Sequence, residues 1–490
     1  MTGEARKKDG LIVYDVGSTY TKAAAFSWEE GKLVYIGGSQ APTTIENITA
    51  GLQNAKYNLF NELVMPEIPI VEEYAASSAA GGLRMVAMGY MPRVTAKAAK
   101  EVAMSAGAKV LEIISYDDEP SFKVEVLREI DPDIILLAGG TDGGNEESLL
   151  ENAYVIINSK INAVVVIAGN ADAQAKVEDV LNSNNIKTIR VPNVMPTIHQ
   201  LNVKPARQAI HTQFISQLTQ ARGMSKLMET VTDNQVMPTP GAVLMGTELL
   251  ASGTYISEGL GDLLVVDIGG ATTDVHSVLP SLGKIPDEEK GLVVNNEKQI
   301  SYRTVEGNLG MRISAGGVLD AVGPAAILNR VGLSGETNEL KLVQYTAYLE
   351  KNPDHVSRTE EEQLFAEGIA ITAIEIALKR HAGYLAQEYN PILGVAPGTP
   401  VGRDLRKVKY VIGIGGIFAH ACDEKAVRIM SKVFENPGLS LLPVRPLFVF
   451  DKHYLMYAIG TIGQKYPDEV LDFAISFLKS YYMLNGEGEN

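Results

Sequence analysis

The sequence predicts an α/β protein of two related halves facing a cleft, with a small doubly wound βα domain inserted into the first half. Three observations lead there. Residues 11–22 (LIVYDVGSTYTK) and 263–276 (LLVVDIGGATTDVH) share one grammar: an apolar strand, an aspartate, a glycine, then hydroxyl side chains. Two such units far apart in one chain imply two related halves. Between them, residues 81–191 alternate short apolar runs with helical runs, the pattern of a parallel sheet covered on both faces. Residues 410–420 (YVIGIGGIFAH) open a third apolar strand into Gly413, Gly415 and Gly416. The expected boundaries are 1–80 with 192–255 for the first half, 81–191 for the insertion and 256–490 for the second half.

Taken in order, residues 11–40 read as three short strands, with Glu29, Glu30, Gly31 and Lys32 as a hairpin turn. Residues 48–63 alternate in a helical way. In the insertion, strands are expected at 84–88, 109–114, 133–138, 163–168 and 186–191, and helices at 94–105, 121–130, 146–157 and 173–181. The loop from Gly139 to Gly144 falls at the carboxyl end of a strand, where such sheets bind ligands. Its composition suits an ordinary surface turn equally well. Residues 206–229 read as helical, and Pro238, Thr239 and Pro240 lead into a helix over 243–251. Beyond Ser277 a polar stretch runs to about Arg303, followed by a glycine-rich segment from Asn308 to Gly323 and helices through Leu385. Residues 391–400 read as a loop, 408–414 as a core strand and 454–463 as a short helix.

The two hairpins make chemical sense as phosphate holders. Glycines permit unusual backbone angles and bring N–H groups close to an anion. Hydroxyls donate further bonds. An aspartate at a strand end is placed to hold Mg²⁺ through water, because Mg²⁺ keeps much of its hydration shell. The candidate nucleotide-binding residues are therefore Gly17, Ser18, Thr19 and Lys22 in the first hairpin and Gly269, Gly270, Thr272 and Thr273 in the second. Gly413, Gly415 and Gly416 would let the backbone pass close to a base and ribose. Asp15, Asp267 and Asp274 are the catalytic candidates, with Asp15 and Asp267 at the metal. Strand-end aspartates also cap turns, so the functional reading rests on the glycines and hydroxyls beside them.

The order of the three pieces resembles that of the actin, Hsp70 and sugar-kinase superfamily, whose fold is two ribonuclease-H-like halves around a nucleotide cleft. Residues 15–19 resemble its first phosphate motif, residues 267–274 its second and residues 413–416 its adenosine motif. Lys22 resembles the phosphate-contacting lysine of actin-like members. Residues 77–89 (SSAAGGLRMVAMG), 136–145 (LLAGGTDGGN) and 191–203 (VPNVMPTIHQLNV) look like the glutamate mutase accessory family, named GlmL or MutL and unrelated to the mismatch-repair protein. That resemblance implies an ATP- and Mg²⁺-dependent factor that reactivates or assembles an adenosylcobalamin-dependent mutase, with slow ATP hydrolysis to ADP. Chaperone-type members carry a glutamate before the proline of the first hinge helix; here Thr239 stands there, which implies slow hydrolysis. A small-molecule kinase and an actin-like nucleotide-dependent scaffold are the alternatives on the same fold.

Composition sets further bounds. At 490 residues and 46% hydrophobic content the chain has room for two or three full cores. A formal charge of −16 opposes broad nucleic-acid binding. No leader pattern and no apolar run of about 20 residues is read, so the expectation is a cytoplasmic protein without a membrane span. The one cysteine, Cys422, excludes an intrachain disulfide and is expected to be small, apolar and buried. Seven histidines without His-x-His or His-x-x-x-His spacing give no zinc site. His420 and His453 fall near the expected adenosine pocket, with a structural role favoured. Glu360, Glu361 and Glu362 read as a solvated face, and Tyr481 and Tyr482 as helix packing. The insertion lacks the Asp-x-His-x-x-Gly cobalamin-ligand motif.

Overall fold

An unbroken apolar run with a single aspartate makes a strand that must be buried on both faces. β1 (Gly10–Val16) is such a strand, with every residue buried. The computed structural model describes residues 9–17, 20–43, 48–63, 69–78, 83–89, 102, 108–197, 202–203, 205–210, 212–213, 229, 231–232, 236–284, 300–389 and 395–482. Ser18 and Thr19, nearly all of the helix expected over 94–105, and most of 206–229 lie outside the described residues.

β1 pairs antiparallel with β2 (Tyr20–Glu29), which neighbours β3 (Lys32–Pro42). The turn between β2 and β3 places Glu30 and Gly31 at φ of 49° and 82°, the two-residue hairpin geometry. On its other side β1 pairs in parallel with β4 (Ile70–Ser77). The insertion follows with β5 (Leu83–Gly89), β6 (Ala108–Ser115), β7 (Ile134–Leu137), β8 (Val164–Ile167) and β9 (Thr188–Arg190). The chain returns through β10 (Val236–Pro238), parallel to β4. The first sheet is thus ordered β3-β2-β1-β4-β10.

The second half repeats this order. It contributes β11 (Leu263–Ile268), β12 (Thr273–Val278), β13 (Ser301–Glu306), the short pair β14 (Tyr384–Leu385) and β15 (Pro400–Val401), then β16 (Tyr410–Ile414) and β17 (Leu447–Phe450). Its main sheet runs β13-β12-β11-β16-β17. In both sheets the first two strands are antiparallel, and the first, fourth and fifth are parallel neighbours. This shared topology is the ribonuclease-H-like arrangement expected of both halves.

The inserted sheet is parallel throughout, ordered β6-β5-β7-β8-β9, with helices Pro120–Ile130, Glu147–Ser159 and Ala171–Ser183 between strands. That is a doubly wound order. Strand alternation splits its residues between two cores. Val86, Met88, Ile135, Leu137, Val165 and Ile167 pack with the helices. Met85, Ala87, Ile134, Leu136 and Val166 belong to the same core as Ile12, Tyr14 and Ala75 of the first half. The insertion therefore completes the first half's core, and the chain divides into two compact units, one of Lys8–Ser27 with Tyr35–Ala242 and one chiefly of Val243–Asn490.

Three local readings change and one is extended. The helix expected over 243–251 is Thr239–Ser252; Pro240 sits in its first turn, where a missing N–H leaves nothing unpaired. The polar stretch expected up to Arg303 ends in strand β13, whose Tyr302 and Arg303 are buried. The Glu360–Glu362 run is solvated as expected, and it is also a helix start. Thr359 caps the N–H of Glu362, and the Glu362 carboxylate returns to the Thr359 N–H, a capping box opening helix Glu360–His381. Cys422 is exposed, contrary to expectation. It occupies the N-cap of helix Asp423–Phe434, outside the face carrying Ala426, Ile429, Met430 and Val433 inward.

Candidate functional site

The first hairpin closes tightly. The Gly17 N–H donates to the Tyr20 carbonyl at 3.1 Å, and a side chain at Gly17 would begin 2.7 Å from that oxygen. Asp15 lies directly across from Lys22 in the register. Its carboxylate is 4% exposed and holds two donors: Lys22 Nζ reaches Oδ2 at 3.0 Å, and Thr239 Oγ1 donates to Oδ1 at 2.7 Å. Thr239 opens the helix after β10, so the sheet order itself brings a residue 224 positions away to the hairpin.

The second hairpin is the same object. The Gly269 N–H donates to the Thr272 carbonyl at 2.9 Å. Asp267 faces Asp274 across the pair, as Asp15 faces Lys22. Asp267 is half-buried. Asp274 is buried and its charge is taken up by Arg303 of β13, whose Nε and Nη2 donate to Oδ1 at 2.8 and 2.5 Å. Thr272 Oγ1 donates to its other oxygen at 3.1 Å. Thr273 turns inward, its hydroxyl donating to the Leu309 carbonyl at 2.6 Å. A segment beyond β13 clasps the hairpin from outside, the Met311 and Arg312 N–H groups donating to the Gly269 and Gly270 carbonyls at 2.9 and 2.8 Å.

The glycine turn adjoins this hairpin. β16 pairs with β11 so that Asp267 sits beside Ile414. Gly415 has φ of 120°, and a Cβ there would lie 2.2 Å from the Ile268 carbonyl oxygen. No other residue fits. Gly413 lies within β16, and Gly416 opens the short helix Gly416–Ala419. Asp451, after β17, donates its own N–H to the Gly413 carbonyl, and its carboxylate accepts from the N–H groups of Leu455 and Met456 where helix Met456–Ile462 begins. Burial pushes the Asp451 carboxyl up, against those backbone bonds. The Tyr454 hydroxyl reaches His420 Nε2 at 3.3 Å.

Asp267, Gly269, Gly270, Thr272, Thr273, Asp274, Gly413, Gly415 and Gly416 are thus gathered within one unit, while Asp15, Gly17 and Lys22 form a matching hairpin in the other. Sequence reasoning missed Arg303, the 308–312 clasp and the Thr239 bond. Only β13 left a signal, the alternating SYRTVE.

The MutL protein pattern matches residues 11–478. A curated relative, "Protein MutL" of Clostridium tetanomorphum, is 38% identical over 476 residues, 96% of this chain and 99% of that one. The chain belongs to the MutL family. Solved structures similar to this MutL chain include a nucleotide-free acetone carboxylase, 12% identical with a TM-score of 0.40, covering 93% of this chain and 70% of that one. The ROK hexokinase of Thermus thermophilus is 10% identical with a TM-score of 0.28, covering 93% and 98%. No described helix of this MutL chain is long and apolar enough to cross a membrane.

Proposed function

We propose that this MutL-family chain is a Mg-ATP-dependent accessory protein of an adenosylcobalamin-dependent mutase such as glutamate mutase, reactivating or assembling it. The observation that supports the nucleotide reading best is the repeated hairpin: two aspartates and two glycine N–H closures in matching register, with Gly415 pressed against the second. On this reading Gly17, Ser18, Thr19 and Lys22 hold phosphate from one half. Gly269, Gly270 and Thr272 hold it from the other, with Thr273 fixing the loop and Gly413, Gly415 and Gly416 receiving adenosine. Asp15 and Asp267 would hold Mg²⁺ through water. A cation bound this way needs only one or two carboxylates with phosphate oxygens. Mg²⁺ supplies charge neutralisation on the phosphate oxygens; the chain's own groups position and orient. Asp274, already paired with Arg303, orients Thr272 and the hairpin.

The three-part division at residues 81, 192 and 256 belongs to the same proposal, with the insertion docking the mutase in a cytoplasmic setting, no nucleic acid and no membrane being involved. A docking surface needs to favour one nucleotide state by only ~1–3 kcal/mol to act as a switch. The test is reactivation. Mutase inactivated by turnover should regain activity with this protein, ATP, Mg²⁺ and fresh adenosylcobalamin, and Asp267→Ala should prevent recovery and remove most ATP turnover while remaining folded. Unchanged turnover in folded Asp267→Ala sinks the site assignment. Equal recovery without nucleotide sinks the switch. ATP consumption stimulated by a small hydroxylated compound moves the reading to a kinase, and nucleotide-dependent sedimentation moves it to a scaffold.

A further inference from the structure

We infer that Thr239 is a positioning residue for Asp15, fixing the carboxylate that faces the nucleotide; the inference rests on the Mg-ATP reading above. The sheet delivers Thr239 rigidly. β10 lies beside β4 with Pro238 opposite Ser77, and Ser77 lies opposite Val16 of β1. The next residue in the chain, Thr239, therefore comes level with the first hairpin as its helix begins. Its hydroxyl donates to Asp15 Oδ1 at 2.7 Å, while Lys22 Nζ donates to Oδ2 at 3.0 Å. Each oxygen is thus held from a different element, and the carboxylate plane is fixed. An ionised carboxylate has about four acceptor positions, so two remain for ordered water after both bonds.

The chemistry of residue 239 is restrictive. A hydroxyl can donate to a carboxylate at this distance, and a charge-assisted bond of this kind is among the stronger ones. Valine keeps the branched shape and loses the donor. A glutamate would be acceptor-only and would set a second negative charge against Asp15, disfavouring both. With Asp15 4% exposed, no bulk water is present to replace the lost donor.

The experiment compares wild type with Thr239→Val, Thr239→Ser and Thr239→Glu. Steady-state ATPase assays give kcat and KM, and calorimetric titration of Mg-ADP at several Mg²⁺ concentrations gives a readout independent of turnover. Thr239→Val should lower kcat roughly tenfold with KM for ATP changed less than about threefold, and should raise the Mg²⁺ concentration needed for half-maximal nucleotide binding. Thr239→Ser should restore both to near wild type. Thr239→Glu should bind Mg-nucleotide more weakly and hydrolyse no faster. Wild-type kcat and Mg²⁺ dependence in Thr239→Val, failure of serine to rescue, or faster hydrolysis in Thr239→Glu would each overturn the inference. If the valine variant does not fold, Thr239→Ala replaces it under the same criteria. A wild-type protein that binds no nucleotide overturns the site reading and this inference together, an outcome distinct from normal wild-type binding with an indifferent Thr239→Val.

Discussion

His276 offers the sharpest test of the second half's interior. It lies on β12, fully buried, with neither ring nitrogen hydrogen-bonded among the described residues. Burial, aided by the Arg303 guanidinium, holds its pKa down at about 3, against the partial opposition of Asp274. The sign follows directly. The unfolded chain takes up this proton as pH falls through about 6.5, whereas the folded chain refuses it until about 3. Stability from this group is complete above pH 6.5 and is lost toward pH 3, at about 1.4 kcal/mol per pH unit. His381 shifts in the same direction and Asp451 in the opposite one, so the absolute slope mixes several groups. The difference between wild type and His276→Leu isolates up to one proton, on the order of 2–3 kcal/mol between pH 6 and pH 4. Leucine also removes two unpaired nitrogens, each costly when buried, so the variant should be at least as stable at pH 7.5. The assay is built into the chain. Its one tryptophan, Trp28, packs edge-on against Tyr466 at 5.0 Å within the unit that holds His276. Urea unfolding followed by Trp28 fluorescence at several pH values gives both slopes. Parallel slopes for the two proteins would refute a neutral, buried His276.

Two further outcomes are expected. Arg303→Met strips Asp274 of its buried partner and should destabilise the same unit by about 3–5 kcal/mol, read from the Trp28 transition, with Asp274→Asn/Arg303→Met recovering part of the loss. Gly415→Ala forces a Cβ against the Ile268 carbonyl at a φ of 120° and should cost about 1–3 kcal/mol, together with a weaker Mg-ADP isotherm; a variant that melts and binds as wild type would remove the need for glycine there.

The fold was legible because its signals are local. An apolar run ending in Asp-x-Gly marks a strand followed by a tight turn, and it occurs at both β1 and β11. The βα alternation of the insertion likewise announced a parallel sheet. What stayed hidden depends on partners distant in sequence. Nothing near Cys422 tells that its side chain faces out from an N-cap. Nothing near Met85 or Ile134 tells that one face of the inserted sheet closes the first half's core. Apolar composition alone does not say which of two cores a residue enters.

The charge logic of the two hairpins shows the same limit and what it conceals. Read as strings, DVGSTYTK sets Lys22 across from Asp15, whereas DIGGATTD sets Asp274 across from Asp267. The first looks balanced and the second doubly negative, a poor place for phosphate. The structure reduces the asymmetry by supplying a cation from β13. Arg303 takes up the charge of Asp274, so the second hairpin keeps the single negative charge of Asp267, whereas in the first hairpin Lys22 offsets Asp15 itself. Each half therefore has one cation at its hairpin, set against a different aspartate of the pair. In the first, the cation is written into the hairpin itself and is bridged to Asp15. In the second, it is locked in a buried pair, so on the proposed reading Asp267, half-buried beside it, is the carboxylate whose loss should weigh most on metal binding.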